Sequence, residues 1–238
     1  MDVYHNLFYT VARIDLHSCR LVPEVPDRPR ILDVGTGTGF WAIDMAEIPP
    51  NVRFSIPTDF ESLWTFGEDS WDLIHLQMLC GSVTSWPNLY QKVFQHLRPG
   101  YGYIEQLEVD LEPRCDDGTL DPRAPLAVWY QHLAEATARA HKPIAYQHNT
   151  RQLLEQAGFI DIKEQVIRAP YNRWPKDPMQ KDIGAWYRLG LAESSGLEAL
   201  SLAPFSRVFN WPVPEIRRFA QEVRHQIGQS SCHAYNNM

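Results

Sequence analysis

Only four of the 238 residues are cysteine, and Cys19, Cys80, Cys115 and Cys232 lie far apart with no C-x-x-C pair. That scarcity removes the usual zinc-ligand spacings and the disulfide frameworks of small secreted domains, and it predicts reduced thiols and no metal site. Basic charge is short as well: 22 Lys and Arg face 29 Asp and Glu, for a formal charge of -7 and a pI of about 5.7. Affinity for a phosphate backbone comes from clustered Lys and Arg, so direct nucleic-acid binding is not expected. No apolar run approaches the roughly 20 residues of a membrane span, and the opening M-D-V-Y-H-N-L-F lacks a signal peptide's charged start and apolar core. These absences predict an intracellular protein without a membrane partner. The length suits one well-buried α/β domain over residues 1–238.

What the chain does have is a glycine loop. Residues 31–39 read I-L-D-V-G-T-G-T-G, an apolar run of buried-strand type that breaks into glycines at 35, 37 and 39. Glycine suits such a bend because the chain turns sharply and a ligand can approach backbone that no Cβ obstructs. A dinucleotide-binding turn reads G-x-G-x-x-G. Here the spacing is G-x-G-x-G with Asp33 two residues ahead, which disfavours a nicotinamide oxidoreductase and suits an S-adenosylmethionine site. Such a loop has no pyrophosphate to cradle, and Asp33 can balance the charge of the donor's ammonium group.

Hydrophobic spacing predicts helices over 2–14, 41–45, 87–97, 126–140 and 150–157, and strands over 51–56, 71–76, 101–111 and 159–169. Residues 21–30 read as a connector, and helix and loop fill most of the remainder. Strands alternating with helices predict a largely parallel sheet with helices on both faces and ligands beyond the carboxyl ends of the strands. Asp33 to Gly39, Asp59, Phe60, His75 to Gln77, Glu105 and Gln106 fall at those ends. Glu105 and Glu108 differ by an odd number of positions, so a regular strand turns them to opposite faces, with Glu108 expected in solvent.

Four runs taken together are more specific: I-L-D-V-G-T-G-T-G-F-W-A-I-D, N-V-R-F-S-I-P-T-D-F-E-S-L-W, S-W-D-L-I-H-L-Q-M-L-C-G-S-V and L-R-P-G-Y-G-Y-I-E-Q-L-E. Over nearly its whole length the chain resembles the fungal class I methyltransferases of the LaeA type, regulators of secondary metabolism. The resemblance implies a Rossmann-like α/β fold, S-adenosylmethionine as cofactor, nuclear or cytoplasmic residence, velvet-type regulatory partners and a methyl acceptor left undefined. Residue by residue it places Asp33, Gly35, Gly37, Gly39 and Trp41 at the donor loop. Asp59 and Phe60 match the adenine side, and His75, Leu76 and Gln77 match the strand end facing the sulfonium.

Three departures accompany that resemblance. The family has a further strand after the first helix, ending in an acid for the ribose, whereas this chain runs from Glu47 almost directly into P-P-N-V-R-F. Asp59 lies 20 residues after Gly39, a ribose-acid distance, although its flanking residues match the later strand. The family's longer N-terminal segment is absent, and its last inner strand is expected to be missing after H-A-Y-N-N-M. A truncated product or a weakly active, partner-binding paralogue therefore stands as the alternative to an active enzyme. His75 and Glu105 are the candidate catalytic bases, with Tyr103 near them; His75 equally suits a plain hydrogen-bonded histidine at a strand end. Trp174 and Trp186 read as helix packing or as walls of an acceptor cleft, and Asp116-Asp117-Gly118 as a turn.

Overall fold

The computed structural model describes residues 3–17, 29–47, 53–55, 59–65 and 67–238, with 53–55 as backbone alone. Val3–His5 form a single helical turn, α1, that widens into a π-helical turn over Asn6–Val11. The wider turn shows in Ala12 N–H, which donates to Leu7 O at 2.8 Å, and it lets the adjacent Leu7 and Phe8 both bury fully. The helix expected over 2–14 is thus shorter, and Asp2 lies outside the described residues. The connector over 21–30 lies outside them too, except for its last two positions, as does Cys19.

The chain then alternates through β1 (Arg30–Val34), α2 (Phe40–Glu47), β2 (Arg53–Ser55), β3 (Leu73–Gln77), α3 (Trp86–His96) and β4 (Tyr103–Leu107). The four strands form one parallel sheet in the order β2-β1-β3-β4. β2, the strand that follows α2, pairs directly with β1. α3 starts where Ser85 accepts from Asn88 N–H and Pro87 supplies a preset φ in the first turn, and it buries Trp86, Leu89, Tyr90 and Val93 at helical spacing.

After β4 come β5 (Asp110–Arg114), α4 (Pro125–Arg139), α5 (Thr150–Ala157), β6 (Arg168–Pro170), α6 (Pro178–Arg188), α7 (Gly196–Val208), α8 (Val213–Gly228) and β7 (Tyr235–Asn237). A second π-helical turn, Leu189–Glu193, joins α6 to α7. Helices cover both faces of the parallel sheet. Leu32, Val34, Ile74 and Leu76 pack with side chains of α3 and α5, while Ile31 and Leu73 pack under Trp41 and Met45 of α2. A third core gathers α4, α6, α7 and α8 around Trp129, Tyr171, Tyr187 and Phe205.

Two predicted strands change. The run over 101–111 divides into β4 and β5, which belong to different sheets; at the break Glu108 accepts from the N–H groups of Leu79 and Cys80. The run over 159–169 pairs only at Arg168–Pro170; Ile160 and Val166 are exposed. The C-terminal residues form β7, which lies between β5 and β6 in a separate three-stranded sheet, antiparallel to both, and does not join the parallel sheet. Two bonds between Met238 and Ile167, 2.8 and 2.9 Å, continue that pairing.

Candidate functional site

Strand register sets Asp33 of β1 beside His75 of β3, and His75 beside Glu105 of β4. Neighbours at equal register in a parallel sheet share a face, so the three form a polar row across the sheet on the side covered by α2. Asp33 and His75 are each 2% exposed, and His75 Nδ1 stands 3.1 Å from Asp33 Oδ1. The Trp41 indole lies flat on the imidazole, with ring centroids 3.6 Å apart, and its N–H donates to Leu16 O at 2.9 Å. Asp33 Oδ2 is left buried and without a hydrogen-bond partner among the described residues. A buried acceptor without a donor is disfavoured by roughly 1–3 kcal/mol, so this oxygen marks a place where an N–H-bearing or cationic ligand group is favoured.

Directly after Asp33 the chain enters the glycine loop, where Gly35, Gly37 and Gly39 have φ of +83°, +54° and +81°. Side chains strain in that region, and at Gly35 a Cβ also meets Leu79 Cδ2 at 2.5 Å. Leu79 is itself fixed. Its N–H donates to Glu108 Oε1 at 3.0 Å, and Cys80 N–H donates to Glu108 Oε2 at 3.2 Å. Glu108 was expected in solvent, but it is 7% exposed, because those two backbone donors draw it inward, and burial raises its pKa. Burial and the nearby Glu108 also push the Cys80 thiol well above its ordinary range.

Asp59 and Phe60 occupy a turn outside that row. Asp59 Oδ1 accepts from Glu61 N–H at 2.9 Å, and Phe60 packs against the α3 side of the sheet. Glu61 is tied to Thr84 Oγ1 at 3.0 Å and to Lys142 at 3.1 Å. Lys92 of α3 donates to three carbonyls of the same turn, Phe60 O, Glu61 O and Ser62 O.

Asp33, Trp41, His75 and Glu105 thus meet on one face, and Gln77 joins them through Tyr9, whose hydroxyl donates to Gln77 Oε1 at 3.4 Å. Leu76 does not; it is fully buried on the opposite face. Tyr9 and Lys92 had carried no signal in the sequence and Glu108 had read as solvent-facing, since each acts across 28 or more positions. Burial, with the charges of Glu105 and Asp33, holds the Tyr9 phenol well above its ordinary range. The other sequence candidates belong elsewhere. Trp174 stacks on His233, Trp186 packs among the helices, and Asp116 and Asp117 bind Tyr235 and His233, joining the β5 turn to β7. Asp110, Glu112 and His148 are close enough to share a cation, but the Arg114 guanidinium already pairs with both carboxylates, at 2.6 and 3.4 Å.

A parallel sheet, a left-handed glycine loop at a strand end and a buried acid beside it define a methyltransferase domain, and residues 5–164 match the family described by that name. Relatives narrow the class. The chain belongs to the LaeA family of fungal secondary metabolism regulators: it is 55% identical to the secondary metabolism regulator LAE1 of Cochliobolus heterostrophus, over 100% of this chain and 83% of the relative. It is 46% identical to the secondary metabolism regulator laeA of Aspergillus flavus, over 99% of this chain and 68% of that one. Identity is also 46% to the protein-methionine methyltransferase laeA of Emericella nidulans, over 99% and 67%. Among solved structures, a phosphoethanolamine N-methyltransferase of Haemonchus contortus in complex with S-adenosyl-L-methionine aligns with 90% of this chain and 48% of its own, at a TM-score of 0.46 and 12% identity. No helix among the described residues is long and apolar enough to cross a membrane.

Proposed function

We propose that the chain is an S-adenosylmethionine-dependent methyltransferase acting in the regulation of secondary metabolism, with its donor seat at Asp33, Gly35, Gly37, Gly39, Trp41, His75 and Gln77 and its adenine side at Asp59 and Phe60. The observation that carries the reading is Asp33 Oδ2, a buried acceptor without a donor at the foot of a left-handed glycine loop. The donor's ammonium answers that acceptor, and the open backbone at Gly37 and Gly39, where a Cβ would meet nothing closer than 3.8 Å, admits its methionyl chain. Leu76, on the opposite face, supports the seat by packing.

When bound, S-adenosylmethionine supplies a methyl group already activated by its sulfonium charge, so the chain's residues have only to orient the partners and exclude water. His75, stacked under Trp41 and bonded to Asp33, holds that carboxylate in orientation. Glu105, the next member of the row, is the base for an acceptor that arrives protonated. The Emericella nidulans relative, a protein-methionine methyltransferase by name, points to a protein methionine as acceptor. A thioether has no proton to lose, so with that acceptor Glu105 serves only to favour the positive charge passed to the new sulfonium.

Nuclear residence and a velvet-type partner belong to the same proposal, by family likeness. A weakly active, partner-binding protein is the second reading, favoured by the short span between α2, which ends at Glu47, and β2, which begins at Arg53. Calorimetric titration with S-adenosylmethionine, followed by mass spectrometry of methionine-containing protein substrates, separates the two. A binding isotherm and a methyl mass gain support the enzyme. Flat heats overturn it, and binding without transfer leaves the second reading.

A further inference from the structure

We infer that Lys92 is a positioning residue for donor binding, holding the Asp59–Phe60 turn in its ligand-ready shape; this rests on the donor seat proposed above. Lys92 stands on α3, outside both the glycine loop and the Asp33–His75–Glu105 row. Its ammonium donates to Phe60 O at 3.1 Å, Glu61 O at 2.9 Å and Ser62 O at 2.7 Å. An ammonium has three donors, and all three go to this turn. Successive carbonyls aimed at one cation fix successive peptide planes, and those planes set the direction in which Phe60 leaves the backbone. Trp64 reinforces the arrangement, because its indole N–H donates to Phe60 O at 3.0 Å and its ring lies 5.5 Å from the ammonium.

The turn has other attachments to the fold. Trp64 is buried in the α3-side core, and Glu61 binds Thr84 and Lys142. Removing the ammonium therefore frees the orientation of residues 60–62 while the segment stays attached, so the loss falls on the ligand and not on the sheet. Asp59 closes the same turn from its other end by accepting from Glu61 N–H. Lys92 and Asp59 then act on donor affinity through one structure, and their effects are coupled.

The test compares the full-length chain with Lys92→Met and Lys92→Arg. S-adenosylhomocysteine affinity is read by calorimetry, and methyl transfer is read at saturating donor. Lys92→Met is expected to weaken S-adenosylhomocysteine about tenfold and raise the donor KM alike, with kcat within about twofold. Lys92→Arg is expected to restore most of the affinity, since a guanidinium also donates to several carbonyls. In an Asp59→Asn background Lys92→Met should add less than about threefold, the signature of a shared structure. Lys92→Gln serves as the second variant should Lys92→Met melt early. Unchanged affinity in a folded variant, a fall in kcat with affinity intact, or full additivity with Asp59→Asn overturns the inference. Absence of binding by the unsubstituted chain overturns the donor seat itself, a different result from binding that Lys92 leaves untouched.

Discussion

Replacing Gly35 with alanine sets backbone strain and overpacking at one atom. The added Cβ lies 2.5 Å from Leu79 Cδ2, against about 3.5–4.0 Å for carbon atoms in contact. Leu79 is 3% exposed, so its Cδ2 is enclosed and yields only by a change of rotamer within the core. At φ +83° the side chain adds roughly 1–2 kcal/mol of backbone strain, and overpacking adds roughly 1–3 kcal/mol. A total near 3 kcal/mol lowers the melting temperature by about 6–12 °C in a chain of this size. Gly37→Ala is the internal control. Its Cβ meets nothing closer than 3.8 Å, so only the backbone term of roughly 1–2 kcal/mol remains, a fall of about 2–8 °C. Thermal unfolding followed by circular dichroism compares the two. Equal losses would refute the claim that Leu79 fills the space above Gly35, and a smaller loss for Gly35→Ala would refute the strain argument as well.

Asp33→Asn removes the charge from a buried carboxylate that has one oxygen without a donor, so the melting temperature should stay within a few degrees while S-adenosylhomocysteine binding weakens at least about tenfold by calorimetry. Unchanged affinity would sink the ammonium assignment. Burial raises the phenols of Tyr9, Tyr90, Tyr171 and Tyr187 above their ordinary value of 10.0 and moves Tyr130 to about 12. These groups stay protonated in the fold while the unfolded chain ionises. Stability is therefore whole below pH 10 and falls as pH rises beyond it, by about 1.4 kcal/mol per pH unit for each phenol whose ionisation the fold opposes. An ultraviolet titration should show Tyr9, Tyr90, Tyr171 and Tyr187 ionising only with unfolding; a single wave of all ten tyrosines near pH 10 with the fold intact contradicts the burial. Asn172 Nδ2 donates to Ile227 O, Gln229 O and Cys232 O, so Asn172→Ala strands three carbonyls where α8 ends and should destabilise by about 2–4 kcal/mol in denaturant titrations. Donor binding should be unaffected, since Asn172 lies in the helical region and not on the parallel sheet.

Much of the site was legible because its signals are local. The glycine loop, Asp33 two residues before it, and the short apolar runs of β1 and β3 are patterns within about ten residues, and local sterics determine them. The same locality limited the reading where burial is settled by distant partners. Alternation over 101–111 reads as one strand, yet Glu108 turns inward for the N–H groups of Leu79 and Cys80, and the strand divides there. Tyr9 reads as one aromatic among several until the π-helical turn aims it at Gln77, 68 positions away.

From residue order alone came the class of fold, the placement of the ligand loop at a strand's carboxyl end and the acid beside it. Backbone conformation and hydrophobic period depend on near neighbours, and those are written in order along the chain. Only the folded chain decided that His75 would lie between Trp41 and Asp33, that an oxygen of Asp33 would be left without a donor, and that Lys92 would gather the carbonyls of a turn 30 to 32 positions earlier. Those facts depend on strand register and on helices crossing the sheet, where atoms distant in sequence become neighbours and water is excluded.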